Sequence, residues 1–211
     1  MKQIFDVSMP IHLNMPVYKN VQEKRPLFET TSDFTHNKTH ETRLHMDAHT
    51  GTHIDAPLHM IEHGAGTESI PLTQLIRSCR VIDLTFVETV ITISDIERFA
   101  PIKNDFLLIK TKNSYDEIWN PQFIYMGEDA ANYLAEIGIA GVGIDGLGIE
   151  RAQPNHPTHK VLMGSGVIII EGLRLGHIAP GNYTLVAAPI AVIGIDAAPA
   201  RVILLQDDEN E

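Results

Sequence analysis

The sequence is short of several things, and each shortage closes a door. It has one cysteine and one tryptophan in 211 residues, and its 16 Lys and Arg are outnumbered by 27 Asp and Glu, for a formal net charge of −11. The lone Cys79 excludes an internal disulfide and any multi-cysteine zinc knuckle. The deficit of basic residues argues against nucleic acid as a partner, because gripping a phosphate backbone takes a Lys/Arg surplus on some face. Long apolar runs are missing too. The longest, Leu185 to Ile195, is too short for a membrane helix and contains Pro189 and Gly194. The opening Met1-Lys2-Gln3-Ile4-Phe5-Asp6 has no apolar signal core. What remains, 44% hydrophobic and 20% charged residues, is a globular composition long enough to bury a core. The expectation is one soluble, cytoplasmic domain over residues 1–211, with neither nucleic acid nor membrane as partner.

Histidine is abundant and clustered. Of eleven, His36, His40, His45, His49, His53, His59 and His63 fall within 28 residues. An even spread would place about one or two there. A polar loop accounts for His36 and His40, which sit among Thr35, Asn37, Lys38 and Thr39. It does not account for the stretch that follows.

Short β-rich runs alternate with short helical ones. Strands are predicted at Ile4–Met9, within Leu44–Asp55, and at Cys79–Phe86, Phe106–Ile109, Val142–Asp145, Val167–Glu171, Tyr183–Ala188 and Arg201–Leu205. Helices are predicted at Pro71–Ser78, from the capping-box pattern Ser94-Asp95-Ile96-Glu97, and at Glu128–Ile137, where Gly138 is the stop. Val142–Asp145 and Val167–Glu171 barely alternate, as strands covered on both faces do. The reading is a mixed α/β domain with a parallel centre and added antiparallel strands. The only charge run is the acidic tail Asp207–Glu211.

His49-Thr50-Gly51-Thr52-His53-Ile54-Asp55-Ala56-Pro57-Leu58-His59 carries the chemistry. Gly51, Thr52 and Ile54 are poor helix formers and Pro57 forbids helix continuation, so an extended segment is expected. On a strand, residues two apart share a face, so His49, His53 and Asp55 point one way, with Gly51 leaving room between them. Two imidazoles and a carboxylate on one face suit zinc or manganese, and the two oxygens of Asp55 can bridge a pair of ions. Glu171, after four apolar residues, is costly to bury unless something pairs with it. His156 and His159 both precede it in the loop read at Asn155–Leu162, and spacing does not choose between them. Asp145 reads as a strand-end cap or as a group that orients a ligand imidazole. Lys110 reads as a partner for a substrate carboxylate or as a solvated side chain.

The 49–59 segment resembles the His-x-Gly-Thr-His-x-Asp-Ala-Pro-x-His signature of the cyclase-like metal-dependent hydrolases, the family of bacterial kynurenine formamidases and isatin hydrolase. Asp6–Ile11, Met15–Tyr18, Leu107–Thr111, Gly143–Asp145, His159 with Leu162, and Glu171-Gly172-Leu173 are similar to further family segments, in the same order. The resemblance implies an α/β fold of the swivelling β/β/α type, with a barrel-like mixed sheet and outer helices. It implies two divalent ions per subunit, zinc or alternatively manganese. His49, His53, Asp55 and Glu171 would hold one; Asp55, His159 and Glu171 would hold the other. His59 would be the general acid/base and Tyr18 a substrate-binding aromatic. It also implies a homodimer or homotetramer. The implied reaction is hydrolysis of a small amide, N-formylkynurenine to kynurenine and formate. An isatin-type lactam or lactone is the rival substrate, and a metal-binding module without catalysis the rival class. Two departures touch the substrate side. Tyr18 stands where the formamidases usually carry Trp, with Trp119 far along the chain, and Asp145-Gly146-Leu147-Gly148 replaces a Thr-x-Ser type stretch.

Overall fold

Apolar strands that do not alternate need cover on both faces, and closing a sheet on itself beneath a layer of helices provides it. The computed structural model describes residues 3–206; the acidic tail lies outside them. The strands are β1 (Gln3–Asp6), β2 (Leu27–Ser32), β3 (Glu41–His45), β4 (His53–Asp55), β5 (Ile76–Asp83), β6 (Val90–Ile91), β7 (Phe106–Lys110), β8 (Tyr125–Met126), β9 (Gly141–Ile144), β10 (Ile168–Glu171), β11 (Gly181–Pro189) and β12 (Ala197–Gln206). The helices are α1 (Leu72–Leu75), α2 (Ile93–Glu97), α3 (Glu128–Ile137) and α4 (Pro157–Gly164). Among the described residues no helix is long and apolar enough to cross a membrane.

Strands run in the order β12-β11-β5-β7-β9-β10-β4, and β4 pairs again with β12, so seven strands close a ring. β5, β7, β9 and β10 are mutually parallel, and the other ring contacts are antiparallel. This is the expected mixed sheet with a parallel centre. β12 makes closure possible by its length. Residues 197–199 hold β4, and residues 203–206 hold β1.

Two apolar layers result. Inside the ring, Ile54, Val81, Phe106, Leu108, Ile168, Ile170, Leu185, Val202 and Leu204 pack together. On the outer face, Ile82, Leu107, Ile109, Val142, Ile144 and Ile169 meet α2, α3 and α4 through Ile96, Ala130, Ala131, Leu134, Leu162 and Met163. The interior has no space to spare at β9. A Cβ on Gly141 would stand 2.3 Å from the Phe106 ring, and one on Gly143 would stand 2.7 Å from Leu108 and from Leu173.

Several boundaries differ from the sequence reading. The helix expected over Pro71–Ser78 is the single turn α1, because β5 already begins at Ile76. The helix expected from Ser94 starts earlier, with Thr92 and Asp95 forming the capping box. The loop expected at Asn155–Leu162 is largely helical, since Pro157 fits the first helical position and α4 follows it. Only residues 53–55 of the expected 49–55 strand are extended. Gly51, at φ +67°, turns the chain before them.

Gly51 packs back to back with Gly172, at φ +69°, where an added Cβ would lie 2.5 Å from the Gly51 carbonyl oxygen. Gly172→Ala should therefore cost roughly 3 kcal/mol, combining left-handed strain with a backbone clash. Gly166→Ala, at φ +75° with nothing within 4 Å of the new Cβ, should cost only about 1 kcal/mol. Urea unfolding of both variants checks the difference, and equal losses would contradict it.

Candidate metal centre

Strand alternation decides which side chains meet. Ile54 points into the barrel, so its neighbours His53 and Asp55 are sent to the outer face. Likewise Ile170 points inward and Glu171 outward. Antiparallel register places Glu171 directly opposite His53. α4 crosses above and lowers His159 onto the pair. The turn at Gly51 carries His49 to the same place by a different route from the one its odd-numbered spacing suggested. His53, Asp55, His159 and Glu171 are all buried, while His49 is partly exposed.

The donor atoms form a connected set. His49 Nδ1 lies 3.1 Å from Asp55 Oδ1, His53 Nε2 lies 3.5 Å from the same oxygen, and His53 Nε2 lies 3.4 Å from Glu171 Oε2. His159 Nε2 lies 3.2 Å from Glu171 Oε1 and 3.8 Å from Asp55 Oδ2. Ligands about 2.1 Å from a tetrahedral ion stand roughly 3.4 Å apart, so these spacings suit a shared cation. A second observation agrees. His53 Nε2 and both Asp55 oxygens are buried without any partner in hydrogen-bond geometry, the atoms a cation would satisfy. The residues fit a divalent ion.

The ring nitrogens turned away from this point are held. His53 Nδ1 donates to the Gly51 carbonyl at 2.9 Å. His159 Nδ1 donates to Glu150 Oε2 at 2.7 Å, and the His159 backbone N–H reaches the same oxygen at 3.2 Å. Each bond leaves Nε2 free to face the carboxylates, the arrangement that metal-ligating imidazoles use. Electrostatics follows. Burial works against charge on His159, but its hydrogen bonds to Glu150 and Glu171 outweigh burial and hold it up to about 10. For His49, Asp55 and Asp196 outweigh burial in the same way and hold it up to about 9. Burial opposes the charge on Glu171, yet His159 and His53 keep it well below the usual carboxylate range. Ile149 N–H donates to Glu171 Oε1 at 2.6 Å.

His59 follows β4 on a short 3-10 turn, with its ring 4.2 Å from that of His49 and 5.6 Å from that of His159. It is half-buried, and burial pushes its imidazole below the ordinary value. All five proposed ligand positions except Asp55 open, with His59, onto a cavity of about 310 Å³. Val17, Tyr18, Met60 and Leu147 supply its apolar wall. Tyr18 packs edge-on against Trp119 with centroids 5.0 Å apart, and Phe123 lies 6.3 Å away. The tryptophan that seemed misplaced in the sequence thus backs the tyrosine that stands in its stead. Gly148 is part of the same fit, since a Cβ there would sit 3.6 Å from the Tyr18 ring.

Other candidates stand elsewhere. Lys110 donates to the Ile178 carbonyl at 2.9 Å, away from the cavity. His45 pairs with Glu29 on the β2–β3 hairpin, and His63 is exposed beside Glu62. His156 lines the cavity mouth at the start of α4, with Nδ1 3.8 Å from Glu150. Asp145 orients no imidazole. It caps a strand end by accepting from Thr111 N–H, at 3.0 Å and 3.1 Å to its two oxygens, and from the Thr111 hydroxyl. Sequence reasoning missed Glu150 and Asp196. Asp196 had a signal, the tripeptide Ile195-Asp196-Ala197 repeating Ile54-Asp55-Ala56; Glu150 had none.

Residues 5–151 match the family described as "Putative cyclase". A solved structure of a potential metal-dependent hydrolase with cyclase activity is 52% identical, with a TM-score of 0.93, covering 99% of this chain and 100% of that one. The kynurenine formamidase of Salinibacter ruber is 28% identical over 204 residues, 95% of this chain and 96% of that protein. Isatin hydrolase A from Labrenzia aggregata, 23% identical over 98% of this chain and 94% of its own, shares the fold with a TM-score of 0.84.

Burial pushes the Asp145 carboxyl up to about 6 against the opposing pull of Thr111. A carboxyl raised on folding binds its proton more tightly in the folded state, so its share of stability grows as pH falls from about 6 towards 4. Measured against Asp145→Asn, the wild type should gain relative unfolding free energy over that interval. A difference that stays constant with pH would contradict the assignment.

Proposed function

The chain belongs to the cyclase family, and on that premise we propose that it is a metal-dependent amidohydrolase whose substrate is N-formylkynurenine or a close aromatic formamide. The observation that carries the reading is the set of five side chains, His49, His53, Asp55, His159 and Glu171, with donor atoms at cation-sharing distances and three of those atoms orphaned. His49, His53, Asp55 and Glu171 would hold one ion and Asp55, His159 and Glu171 a second. Three imidazoles with two carboxylates favour zinc, with manganese the alternative. Such ions supply the charge that acidifies a water molecule and polarises a carbonyl.

The chain's own groups do the rest. His59 faces the cavity and stands outside the proposed ligand set, and burial favours its neutral form, ready to accept a proton. It takes the proton of the attacking water as the C–O bond forms, and returns it to the nitrogen as the C–N bond breaks, releasing the carboxylate and the amine. Tyr18, backed by Trp119 and Phe123, offers a ring against which an aromatic substrate lies. A flat fused lactam of the isatin type fits the same wall, so it belongs in the assay panel. The open cavity over the centre speaks against a non-catalytic binding module, whose site protein ligands would close.

The 99% coverage by a 52%-identical structure supports reading residues 1–211 as one domain. With one buried cysteine the chain depends on no internal disulfide, which is compatible with a cytoplasmic setting. A homodimer, alone or paired into a tetramer, is supported by the β2–β3 hairpin. It forms a sheet of its own, with Phe28 opposite Leu44 on one uncharged, exposed face beside Thr30 and Thr42. A two-stranded hairpin alone is marginal in water.

His59→Ala should retain metal and melting temperature while losing roughly 10²–10⁴-fold in turnover of N-formylkynurenine. His53→Ala should lose metal and activity together. Metal analysis with kinetics on a formamide and lactam panel checks both. A His59→Ala protein that loses metal but keeps its turnover would overturn the roles. Phe28→Asp with Leu44→Asp should convert the oligomer to monomer in sedimentation, and an unchanged mass would refute the hairpin's role.

A further inference from the structure

One carboxylate in the centre has no task in the reaction above. Asp196 sits just ahead of β12, and its Oδ2 lies 3.0 Å from His49 Nε2 and 3.4 Å from His59 Nδ1. The two rings are tilted towards each other at 48°, so one oxygen touches both. The Asp196 backbone is anchored separately. Ala56 N–H donates to its carbonyl at 2.9 Å, and the adjacent Ala197 pairs with Asp55 across the β12–β4 seam. The side chain is therefore free to serve the rings without being needed to hold the loop.

We propose that Asp196 is a positioning residue that fixes the tautomers of His49 and His59 together, so that His49 presents Nδ1 to Asp55 while His59 presents Nε2 to the cavity. The inference rests on the reading of His59 as acid/base and of His49 as a ligand. A neutral imidazole carries one donor and one acceptor, and an ionised carboxylate only accepts. The nitrogen facing Asp196 must then carry the hydrogen, and the opposite nitrogen is left with its lone pair.

The same logic runs through the centre. His53 has the Gly51 carbonyl behind it and His159 has Glu150. Those two acceptors each serve one ring, whereas Asp196 serves two, one a candidate ligand and one the candidate base. It couples the orientation of the proton carrier to that of the metal site. Water behind these rings would satisfy the same nitrogens without choosing a tautomer.

The test compares wild type, Asp196→Asn, His59→Ala and the double variant as zinc-loaded, ¹⁵N-histidine-labelled proteins. The wild-type nitrogen spectrum should show His59 as a single Nδ1–H tautomer, and Asp196→Asn should show a mixture. Turnover of N-formylkynurenine should fall about 10–100-fold in kcat with KM within about threefold, and zinc affinity should fall about tenfold in a chelator competition. In the His59→Ala background the same substitution should add less than about threefold to the kcat loss, because the residue acts through His59. A wild-type His59 in the Nε2–H form overturns the proposal, and this needs no variant to fold. An Asp196→Asn protein with an unchanged spectrum, or a full additive kcat loss in the double variant, overturns it as well. If wild type turns over no formamide or lactam, the proposed reaction fails by itself, and the spectra and zinc affinities still decide the role of Asp196.

Discussion

Two carboxylates on neighbouring strands, Asp55 and Glu171, are held on a face from which water is largely excluded, and the rest of the centre answers to that fact. Burying one such charge without a partner costs several kcal/mol, and burying two side by side costs more. The chain surrounds them with imidazoles, raises the proton affinity of His49 and His159, and lends Glu171 a backbone N–H from Ile149. A divalent cation meets the same demand with less reorganisation. Glu150 adds a third buried acid, tolerable because His159 stands between it and Glu171.

The barrel makes this concentration of charge possible. Its interior is filled by aliphatic side chains and by the Phe106 ring against Gly141, so strand positions are fixed to within a fraction of a side chain. That rigidity lets alternate residues of β4 and β10, His53, Asp55 and Glu171, project outward in register. The centre lies where Glu171 ends a parallel strand, under a helix, as ligand sites do in sheets of this kind.

Much of this was legible in the 49–59 segment, because strand parity needs only local sequence. His53 and Asp55 share a face for the reason their spacing suggested. His49 joins them through a turn instead, since Gly51 adopts a left-handed conformation and breaks the expected strand. His159 could not be separated from His156 by spacing. The α4 helix separates them, burying one ring and leaving the other half exposed. Asp145 read equally as a strand-end cap or as an acid orienting an imidazole, and the hydrogen bonds from Thr111, 34 residues away, make it the cap. Asp196 has only the Ile-Asp-Ala repeat as a signal, Glu150 and the pairing of Tyr18 with Trp119 have none, and no local pattern records the contacts they make. Packing of α4 and closure of the barrel create them.

The seam where β4 meets β12 carries a consequence for the order of events during synthesis. His49 and Asp196 are 147 residues apart, and the β4–β12 pairing spans a similar stretch of chain. A ribosome will have released the whole histidine-rich segment long before its partner strand exists. Until then the nascent chain presents a flexible string of imidazoles, and contacts of such long range form slowly. The tight, paired geometry thus arrives late. The five donors at 49, 53, 55, 159 and 171 come together only once β10 and α4 have packed against β4, and the Asp196 contact to His49 is added last.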